Sequence, residues 1–332
     1  MSRFRSRLSP RRGHRGRPSL PGLGRLPRPA NVAERLENAH VLDAPARSLA
    51  GAVRRRIPAG PRADALHGVW LGQPVHPTLT SLPVGFWTSA TVLDFVPGSE
   101  RASQVLIALG LAGTVPAAAA GLTDWASLHR EQQRVGLAHA ASNASASALF
   151  AASLLARTTG RSAGGRLLAL AGLAALTAGG YLGRHMSFPL GAGASHAEPV
   201  AHLAPLGWHD LCRIYELPDG RLARRQLGYL SLVVLRQGSD VLALADHCAH
   251  LGGPLHQGTL AGPADGPCVT CPWHGSTFRL MDGTVVHGPA TARQPAFDAR
   301  IVPGGMVQVR PASLTRTARH REPHDHSRPA GL

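Results

Sequence analysis

The sequence predicts an N-terminal all-α four-helix transmembrane bundle joined to a C-terminal all-β domain. Two observations predict the bundle. Charged residues make up only 16% of the chain, against about 25% in an average soluble protein, and four long windows contain no Asp, Glu, Lys or Arg. A third observation predicts the β domain, since the chain from 206 onward breaks into short apolar runs separated by turn signals.

The first part of the chain is strongly basic. All 35 cationic residues are Arg, and 15 of them precede residue 63. The composition of residues 1–30 predicts a disordered basic arm that lies near anionic lipid headgroups. The arm has few aromatic residues on which bases could stack, which argues against nucleic-acid binding. Apolar residues three or four apart over 31–62 predict an amphipathic membrane-surface helix with Pro45 in its first turn. A short helix packed on its own domain fits the same pattern.

The four uncharged windows are as long as membrane-spanning helices, which need about 20 residues. They are 65–93, 102–123, 135–156 and 167–183. Their Ala-, Gly- and Ser-rich composition suits close helix packing in lipid. A soluble four-helix bundle is the alternative, but it would need a charged face on each helix. We therefore predict a four-span transmembrane helical domain over 63–187.

Four spans place both ends of the chain on one side of the cell membrane. Fewer arginines lie near the two short connections on the opposite side, which carry Arg101, Arg157, Arg161 and Arg166. The positive-inside rule then predicts a multi-pass protein with both tails and the C-terminal domain in the cytoplasm. Membrane lipid is therefore an expected partner.

Several histidines fall near the tail side of the predicted spans. His76 lies early in the first span, His139 lies early in the third, and His185 closes the fourth. Ionisable groups at membrane depth are costly and are functional candidates. One hypothesis is that His139 and His185, with His76 as an alternate, ligate a haem b or another metal. The alternative is that these histidines bond to the backbone or to Asp124.

The chain changes character after the last window. Residues 188–205 form a linker rich in Gly, Pro and Ala, and 206–310 contain β-like runs such as YLSLVVL and DVLALAD. Residues 311–332 are basic, contain histidines and have no apolar pattern. We interpret them as a disordered, solvated tail and not as a metal site.

The strongest chemical signal lies in the segments CAHLGGPLHQG and CVTCPWHGSTF. One residue separates Cys248 from His250, two separate Cys271 from His274, and about 20 separate the two pairs. Two thiolates and two imidazoles can hold a tetrahedral Zn²⁺ or a [2Fe–2S] cluster. The ligand types alone leave both groups open.

With DGTVVHGPA further along the chain, these motifs resemble the Rieske iron–sulfur family over about 205–310. The resemblance implies that Cys248 and Cys271 ligate one iron of a [2Fe–2S] cluster. His250 and His274 would ligate the other iron through Nδ1. Neutral imidazoles in place of two thiolates raise the reduction potential to about −150 to +300 mV, against about −400 mV for plant-type ferredoxins.

Two departures from the pattern of quinol-oxidising Rieske proteins indicate which branch of the family this chain resembles. Quinol-oxidising members carry a disulfide-bonded Cys in each loop, where this chain has Gly253 and Trp273. The chain therefore resembles the ferredoxin and oxygenase-associated branch. Gly288–Pro289 matches the loop that covers the cluster in relatives, whereas Cys212 and Cys268 match no ligand position.

The membrane half carries a second resemblance. The segments WLGQPVHPTLTSLPVGFWTSATVLDF, GLTDW, AHAASN and GYLGRHMSF are similar to an uncharacterised bacterial membrane family, domain of unknown function 2231, over about 65–187. This family implies no chemistry for the helices.

Together these features favour a membrane-anchored Rieske protein that transfers single electrons as a ferredoxin-like component of a redox or oxygenase system. Its partners would be an electron-donor reductase and an acceptor protein. The alternative is a membrane redox sensor whose cluster state alters the bundle or a bound partner. A terminal oxygenase is not expected, because those enzymes add a large domain with a 2-His-1-carboxylate iron site. Only 22 residues follow position 310.

Overall fold

The computed structural model describes residues 29–262 and 266–312 as a helical half followed by a β half. The predicted basic arm up to residue 28 and the tail from 313 lie outside the described residues. The helices are α1 Pro29–Glu37, α2 Asp43–Arg56, α3 Pro61–His67, α4 Val75–Leu93, α5 Glu100–Trp125, α6 Arg130–Thr158, α7 Ser162–Ser187 and α8 Val200–Leu203.

Helices α4 to α7 form the predicted four-helix bundle. It consists of two antiparallel hairpins, α4 on α5 and α6 on α7, which also contact each other. The bundle core centres on Trp87 and Phe150, whose rings stack with centroids 4.3 Å apart. A Cβ at Gly110 would come within 2.2 Å of Trp87. Glycine at this position therefore allows the hairpin to close around the aromatic pair.

The outer surface of the bundle is apolar. Helices α5 and α7, each of 26 residues, are long and apolar enough to span a membrane by length and composition. Only 22% of the apolar window of each is buried inside the protein, so most of each window faces outward. Exposed large apolar side chains on the bundle helices are Leu82, Val84, Val92, Val105, Leu109, Val115, Leu155, Leu167, Leu170 and Tyr181, and Phe95 just after α4 is also exposed. An apolar surface of this kind marks contact with another molecule or with lipid.

A buried ion pair closes the bundle end that lies away from both termini of the helical half. The Arg157 guanidinium donates to both carboxylate oxygens of Asp94 at 2.6 Å, and Ser103 donates a third hydrogen bond to this carboxylate. Both charged side chains are at least 96% buried. Arg157 is therefore a structural cation inside the bundle and not a free loop charge.

The single surface helix expected over 31–62 is wrong, because this segment forms α1, α2 and the first residues of α3. Pro45 does lie in the first turn of α2, while Gly60 has a φ of 139° and separates α2 from α3. Ala46 and Ala50 of α2 are buried in one cluster with Trp125 and Ala126, the first of these in α5. Helix α2 therefore packs on its own domain, which was the alternative interpretation.

The first uncharged window is also shorter as a helix than its composition suggested. Residues 65–74 belong to α3 and a glycine-containing turn, and α4 begins only at Val75. Gly68 and Gly72 have φ values of 89° and 74°. A Cβ at Gly68 would lie 2.2 Å from the Gln73 carbonyl oxygen. The turn therefore requires glycine, which ends α3 before α4 starts.

The β half contains two antiparallel sheets. The six-stranded sheet has the order β1-β10-β9-β4-β3-β2, and the four-stranded sheet has the order β5-β6-β7-β8. The strands are β1 His209–Arg213, β2 Leu222–Leu227, β3 Leu230–Gln237, β4 Asp240–Ala245, β5 Thr259–Ala261, β6 Cys268–Thr270, β7 Thr277–Arg279, β8 Val285–His287, β9 Ala296–Val302 and β10 Met306–Pro311.

Strand β3 is buried on both faces and separates two cores. Val233 and Leu235 pack in the core shared with the four-stranded sheet, whereas Leu232 and Val234 pack in the other core. The second half of the predicted linker 188–205 packs into these cores, and Ala197 in it is 2% exposed. The β domain therefore begins upstream of its predicted start at 206.

Candidate metal centre

Two loops at one end of the β domain carry the predicted ligands. The first follows β4 and contains Cys248, and the second connects β6 to β7 and contains Cys271. The loops use the same turn: the N–H of Gly252 donates to the Cys248 carbonyl, and that of Gly275 donates to the Cys271 carbonyl. Both glycines have φ near 80°, at 76° and 81°. Glycine at the fourth residue after each cysteine therefore lets each loop fold back on itself.

Backbone amides surround both sulfur atoms. The N–H groups of His250 and Leu251 lie within hydrogen-bond reach of the Cys248 sulfur, and those of Trp273 and His274 lie within reach of the Cys271 sulfur. The Cys248 thiol donates to Cys271, which lowers the pKa of Cys271 to about 6, while the same contact and burial raise the pKa of Cys248. The backbone amides thus favour negative charge on both sulfurs, and the thiol contact places that charge on Cys271.

The two histidines lie next to each other with their metal-binding nitrogens free. The ring centroids of His250 and His274 are 5.1 Å apart. Both Nδ1 atoms are buried and have no hydrogen-bond partner. Burial lowers the pKa of His250 to about 3 and that of His274 to about 4, so both imidazoles are neutral at pH 7. Neutral imidazole is the form that coordinates a metal.

Gly253 explains how the two loops approach each other. A Cβ at this position would lie 2.8 Å from the Cys271 sulfur and 3.1 Å from the Trp273 ring. The two positions that distinguish this chain from quinol-oxidising relatives are therefore spatial neighbours. A larger residue at 253 would push on the second loop.

Sequence reasoning missed the side chain that holds the first loop. Gln294 is 1% exposed and accepts from the Ala249 N–H at 2.8 Å. Its amide donates to the carbonyl oxygens of Ala245 and His247, both at 2.7 Å. It lies 45 residues from Ala249 in sequence, outside both motifs, so no local pattern singled it out.

The other residues near the motifs have structural partners. His256 donates from Nδ1 to Asp246 at 2.7 Å, and Asp246 also accepts from the backbone N–H of His256. Ser276 accepts from the N–H of Ala290 at 3.0 Å, which ties the second loop to the covering loop. Cys212 and Cys268 are buried in strands β1 and β6, outside the two ligand loops.

The helical half contacts the loop that covers the site. Asp64 of α3 accepts from Nδ1 of His287 and from the N–H of Gly288, both at 2.8 Å. Gly288 also lies against His67, because a Cβ at 288 would be 2.9 Å from that ring. His67 is 5% exposed and donates from Nδ1 to Asp124 at 2.6 Å.

A second contact involves the histidine of the second loop. His129, the residue before α6, has its ring centroid 5.6 Å from that of His274 and 5.6 Å from that of Trp273. A cavity of about 130 Å³ lies between the two halves, and Arg54, His67 and His274 are among the residues that line it. These interdomain contacts were not predicted, since their partners are distant in sequence.

The membrane histidines are paired differently from the hypothesis. His185 bonds to Glu37 of α1 through Nε2 at 2.6 Å. His139 instead faces His76, with ring centroids 6.4 Å apart. Asp124, the expected carboxylate partner, is bonded to His67. His76 and His139 each bond to a backbone carbonyl at 2.8 Å, as in the alternative interpretation, and His139 faces His76, which the hypothesis had named as the alternate ligand.

Within residues 29–262 and 266–312, no group of three or more His, Cys, Asp or Glu side chains converges as it would on a single metal ion. A tetrahedral Zn²⁺ site gathers four ligands around one ion. A [2Fe–2S] cluster of the Rieske type needs two protein ligands on each iron. The donor set of two cysteines and two histidines with unpartnered Nδ1 atoms fits the cluster.

Comparison with known proteins assigns the β domain. Residues 207–298 match the family described as Rieske [2Fe–2S] domain. Over 98 residues the chain is 30% identical to ferredoxin CarAc of Metapseudomonas resinovorans, covering 29% of this chain and 88% of that protein. The chain belongs to the Rieske [2Fe–2S] family. Its Rieske domain binds a [2Fe–2S] cluster and not the Zn²⁺ ion that the ligand types also allowed.

Further relatives match similar lengths of the chain. The anthranilate 1,2-dioxygenase ferredoxin subunit of Burkholderia cepacia is 32% identical over 102 residues, which are 31% of this chain and 90% of that protein. Apoptosis-inducing factor 3 of mouse is 28% identical over 91 residues, 27% of this chain, and the match spans only 14% of that longer protein. The solved ferredoxin of carbazole 1,9a-dioxygenase from Nocardioides aromaticivorans IC177 is 22% identical, with a TM-score of 0.29, over 32% of this chain and 98% of that chain.

The helical half matches a second family. Residues 72–196 match the family described as predicted membrane protein (DUF2231). This match agrees with the resemblance found in the sequence and with the outward-facing apolar surface of the bundle. The chain thus joins a Rieske domain to a domain of a membrane-protein family.

Proposed function

We propose that this chain is a membrane-anchored electron-transfer protein, a ferredoxin-like component of a redox or oxygenase system. The observation that carries the proposal is the pair of buried imidazoles, His250 and His274, with unpartnered Nδ1 atoms beside two buried cysteines. Buried polar atoms without a partner are rare in proteins and require an explanation. A metal that binds the lone pairs of both Nδ1 atoms would explain why neither atom has a hydrogen-bond partner.

In this proposal Cys248 and Cys271 hold one iron, and the Nδ1 atoms of His250 and His274 hold the other. Amide N–H groups directed at both sulfurs support the first pair, and the neutral state of both imidazoles supports the second. When bound, the cluster takes up and releases one electron at a time. The chain itself contributes a preformed cradle whose glycine turns hold the four ligands in place.

The surroundings of the ligands keep water away from sulfur. Cys248 is 1% exposed, and Leu251 and Leu255 bury the base of the first loop. Trp273 remains half exposed beside His274, so the histidine side of the site lies nearest to the surface. An electron partner would therefore approach this side, next to the helical half.

We further propose that the four bundle helices cross the cell membrane and that both tails and the Rieske domain lie in the cytoplasm. The apolar outer surface and the DUF2231 match support the spans. The pairing of Arg157 with Asp94 supports the orientation, because it removes one free cation from the opposite side. Protease accessibility of a C-terminal tag in right-side-out and inverted vesicles tests it: digestion only in inverted vesicles is expected.

The proposed partners are an electron-donor reductase and an acceptor protein. The support is the similarity to ferredoxin CarAc and to the anthranilate 1,2-dioxygenase ferredoxin subunit, each of which is named as a ferredoxin. The match to the Rieske family spans residues 207–298. The bundle would keep this ferredoxin-like domain at the membrane surface.

The deciding experiment is low-temperature EPR of dithionite-reduced membranes that contain the full chain. Wild type is expected to give a rhombic Rieske-type signal, and Cys248→Ser is expected to lose it. Cys212→Ser is the matched control, because Cys212 is a buried cysteine in the other core of the same domain. This control is expected to keep the signal.

Two results would overturn the proposal. One is a signal that persists in Cys248→Ser, and the other is purified wild type that contains zinc and no iron. Pulsed EPR of wild type avoids reliance on a variant that fails to fold. Nitrogen couplings from two imidazoles are expected, and their absence would exclude His250 and His274 as ligands.

A further inference from the structure

We propose that the helical bundle binds a haem whose iron is held between His76 of α4 and His139 of α6. This site is separate from the Rieske cluster, and its test does not depend on the proposed electron-transfer function. The two imidazoles belong to different hairpins and face each other across the bundle, with ring centroids 6.4 Å apart. Cofactor sites in helix bundles are built in this way, from side chains on facing helices.

The two rings make matching hydrogen bonds through Nδ1. Nδ1 of His76 donates to the Ala117 carbonyl of α5, and Nδ1 of His139 donates to the Gly179 carbonyl of α7, both at 2.8 Å. A carbonyl can only accept, so Nδ1 carries the proton and Nε2 carries a lone pair. A metal-binding histidine nearly always donates its other ring N–H to such a partner, which fixes the ring orientation.

The spacing of the rings suits two axial ligands on one metal. Two metal–nitrogen bonds of about 2 Å each, plus about 1 Å from each nitrogen to its ring centre, place the centroids about 6 Å apart. The observed separation is 6.4 Å, and the ring planes are nearly perpendicular at 84°. Perpendicular planes are compatible with opposite ligation, because each plane can still contain the ligand–metal axis.

Haem fits this pair better than a bare ion does. Among the described residues no third His, Cys, Asp or Glu joins the two histidines. Bare ions in structural or catalytic sites usually require three or four protein ligands. Haem iron needs only one or two from the protein, because the porphyrin supplies the others.

Glycines on the neighbouring helices make room for both rings. A Cβ at Gly121 of α5 would lie 2.6 Å from His76, and a Cβ at Gly183 of α7 would lie 3.0 Å from His139. The Asn143 amide lies 3.2 Å from Nε2 of His139, so iron bound at this nitrogen would take the lone pair that the amide contacts. Each imidazole is thus seated against the backbone of the other helix of its hairpin.

The pair also lies at the end of the bundle that meets the Rieske domain. His139 is ten residues beyond His129 along α6, which corresponds to about 15 Å of helix. His129 contacts His274 of the Rieske domain. The proposed haem would therefore lie beneath the cluster on the same side of the membrane domain.

The test uses the full chain, expressed with a haem precursor and purified in detergent. Pyridine haemochrome analysis is expected to give about one haem per chain, with the absorption spectrum of six-coordinate low-spin iron. His76→Ala and His139→Ala are each expected to lose most of the Soret absorbance. His202→Gln is the control, since His202 lies in α8 outside the bundle and is exposed. Helical circular dichroism and thermal unfolding in the same detergent report whether the bundle of each variant is folded.

The variant His185→Gln distinguishes iron held by His76 and His139 from iron held by His139 and His185. Loss of haem in this variant, with retention in His76→Ala, would overturn the proposal. Wild type without a Soret band, or with a metal ion in place of haem, would also overturn it. If either alanine variant fails to fold, the wild-type spectrum still decides, because a high-spin five-coordinate spectrum excludes two histidine ligands.

Discussion

One carboxylate accepts two hydrogen bonds across the contact between the two halves, so replacing Asp64 by alanine should loosen the loop that covers the cluster site. Both oxygens of Asp64 are used: Oδ1 accepts from the Gly288 N–H and Oδ2 accepts from His287. Asp64→Ala removes both acceptors at once. Asp64→Asn keeps one carbonyl oxygen and should have a smaller effect.

The magnitude follows from the exposure of the two bonds. A hydrogen bond to a charged group contributes about 1.5–3 kcal/mol. The bond to the Gly288 N–H is shielded and takes the lower end of this range, whereas His287 is 48% exposed and adds little. The sum is about 2 kcal/mol, or about a thirtyfold shift of the docking equilibrium towards the separated domains.

Hydrogen–deuterium exchange measures this shift in the intact chain. We expect faster exchange in Asp64→Ala both around 287–290 and around 126–130, which lies on the other side of the contact. Asp240→Ala is the control, since Asp240 is an exposed carboxylate at the start of β4. If the segment around 126–130 exchanges at the wild-type rate in Asp64→Ala, the carboxylate does not hold the domains together.

Three further predictions concern the site and the bundle. Gly253→Ala should weaken or abolish the Rieske EPR signal, because its Cβ would lie 2.8 Å from the Cys271 sulfur, whereas Gly262→Ala has open space and should not. Asp94→Asn should lower the bundle's stability in a detergent thermal-unfolding assay by about 3–5 kcal/mol, because Arg157 stays buried without its counter-charge. Double replacement with Arg157→Met should recover part of this loss, and no recovery would contradict the ion-pair explanation. The hydrogen bond from Arg134 lowers the pKa of Asp43 below 3.8, so its stabilisation of α2 should be complete above pH 3.8 and lost as the pH falls through the lowered pKa. Exchange of α2 amides between pH 7 and 3 tests this, and loss near pH 6 would exclude Asp43 as the cause.

Local patterns predicted most of the architecture. The uncharged windows correspond to α4–α7, and the paired motifs correspond to the two loops of the Rieske domain. Both signals are contained in short stretches of chain. The failures occur where a single glycine or proline decides the conformation, as at Gly68, whose positive φ ends α3 inside an apolar window. Hydropathy does not register such a turn.

The remaining features depend on residues far apart in sequence. Gln294 holds the first loop from 45 residues away, and Asp64 meets His287 across 223 residues. The pairing of His76 with His139 depends on how two hairpins face each other. Periodicity within one helix carries no information about that choice, which is why the sequence favoured His185 as a partner.

Because the two domains share one chain, the ferredoxin-like domain has a permanent neighbour beside its cluster site. The 98 residues that match ferredoxin CarAc cover 88% of that protein, which leaves no room there for a four-helix bundle. In this chain the histidine side of the cluster site already contacts a helical neighbour through His129. Covalent linkage makes this encounter intramolecular, and its effective concentration then depends on the short connection after α7. Any group in the bundle near His129 therefore has the first opportunity to exchange electrons with the cluster, ahead of soluble partners.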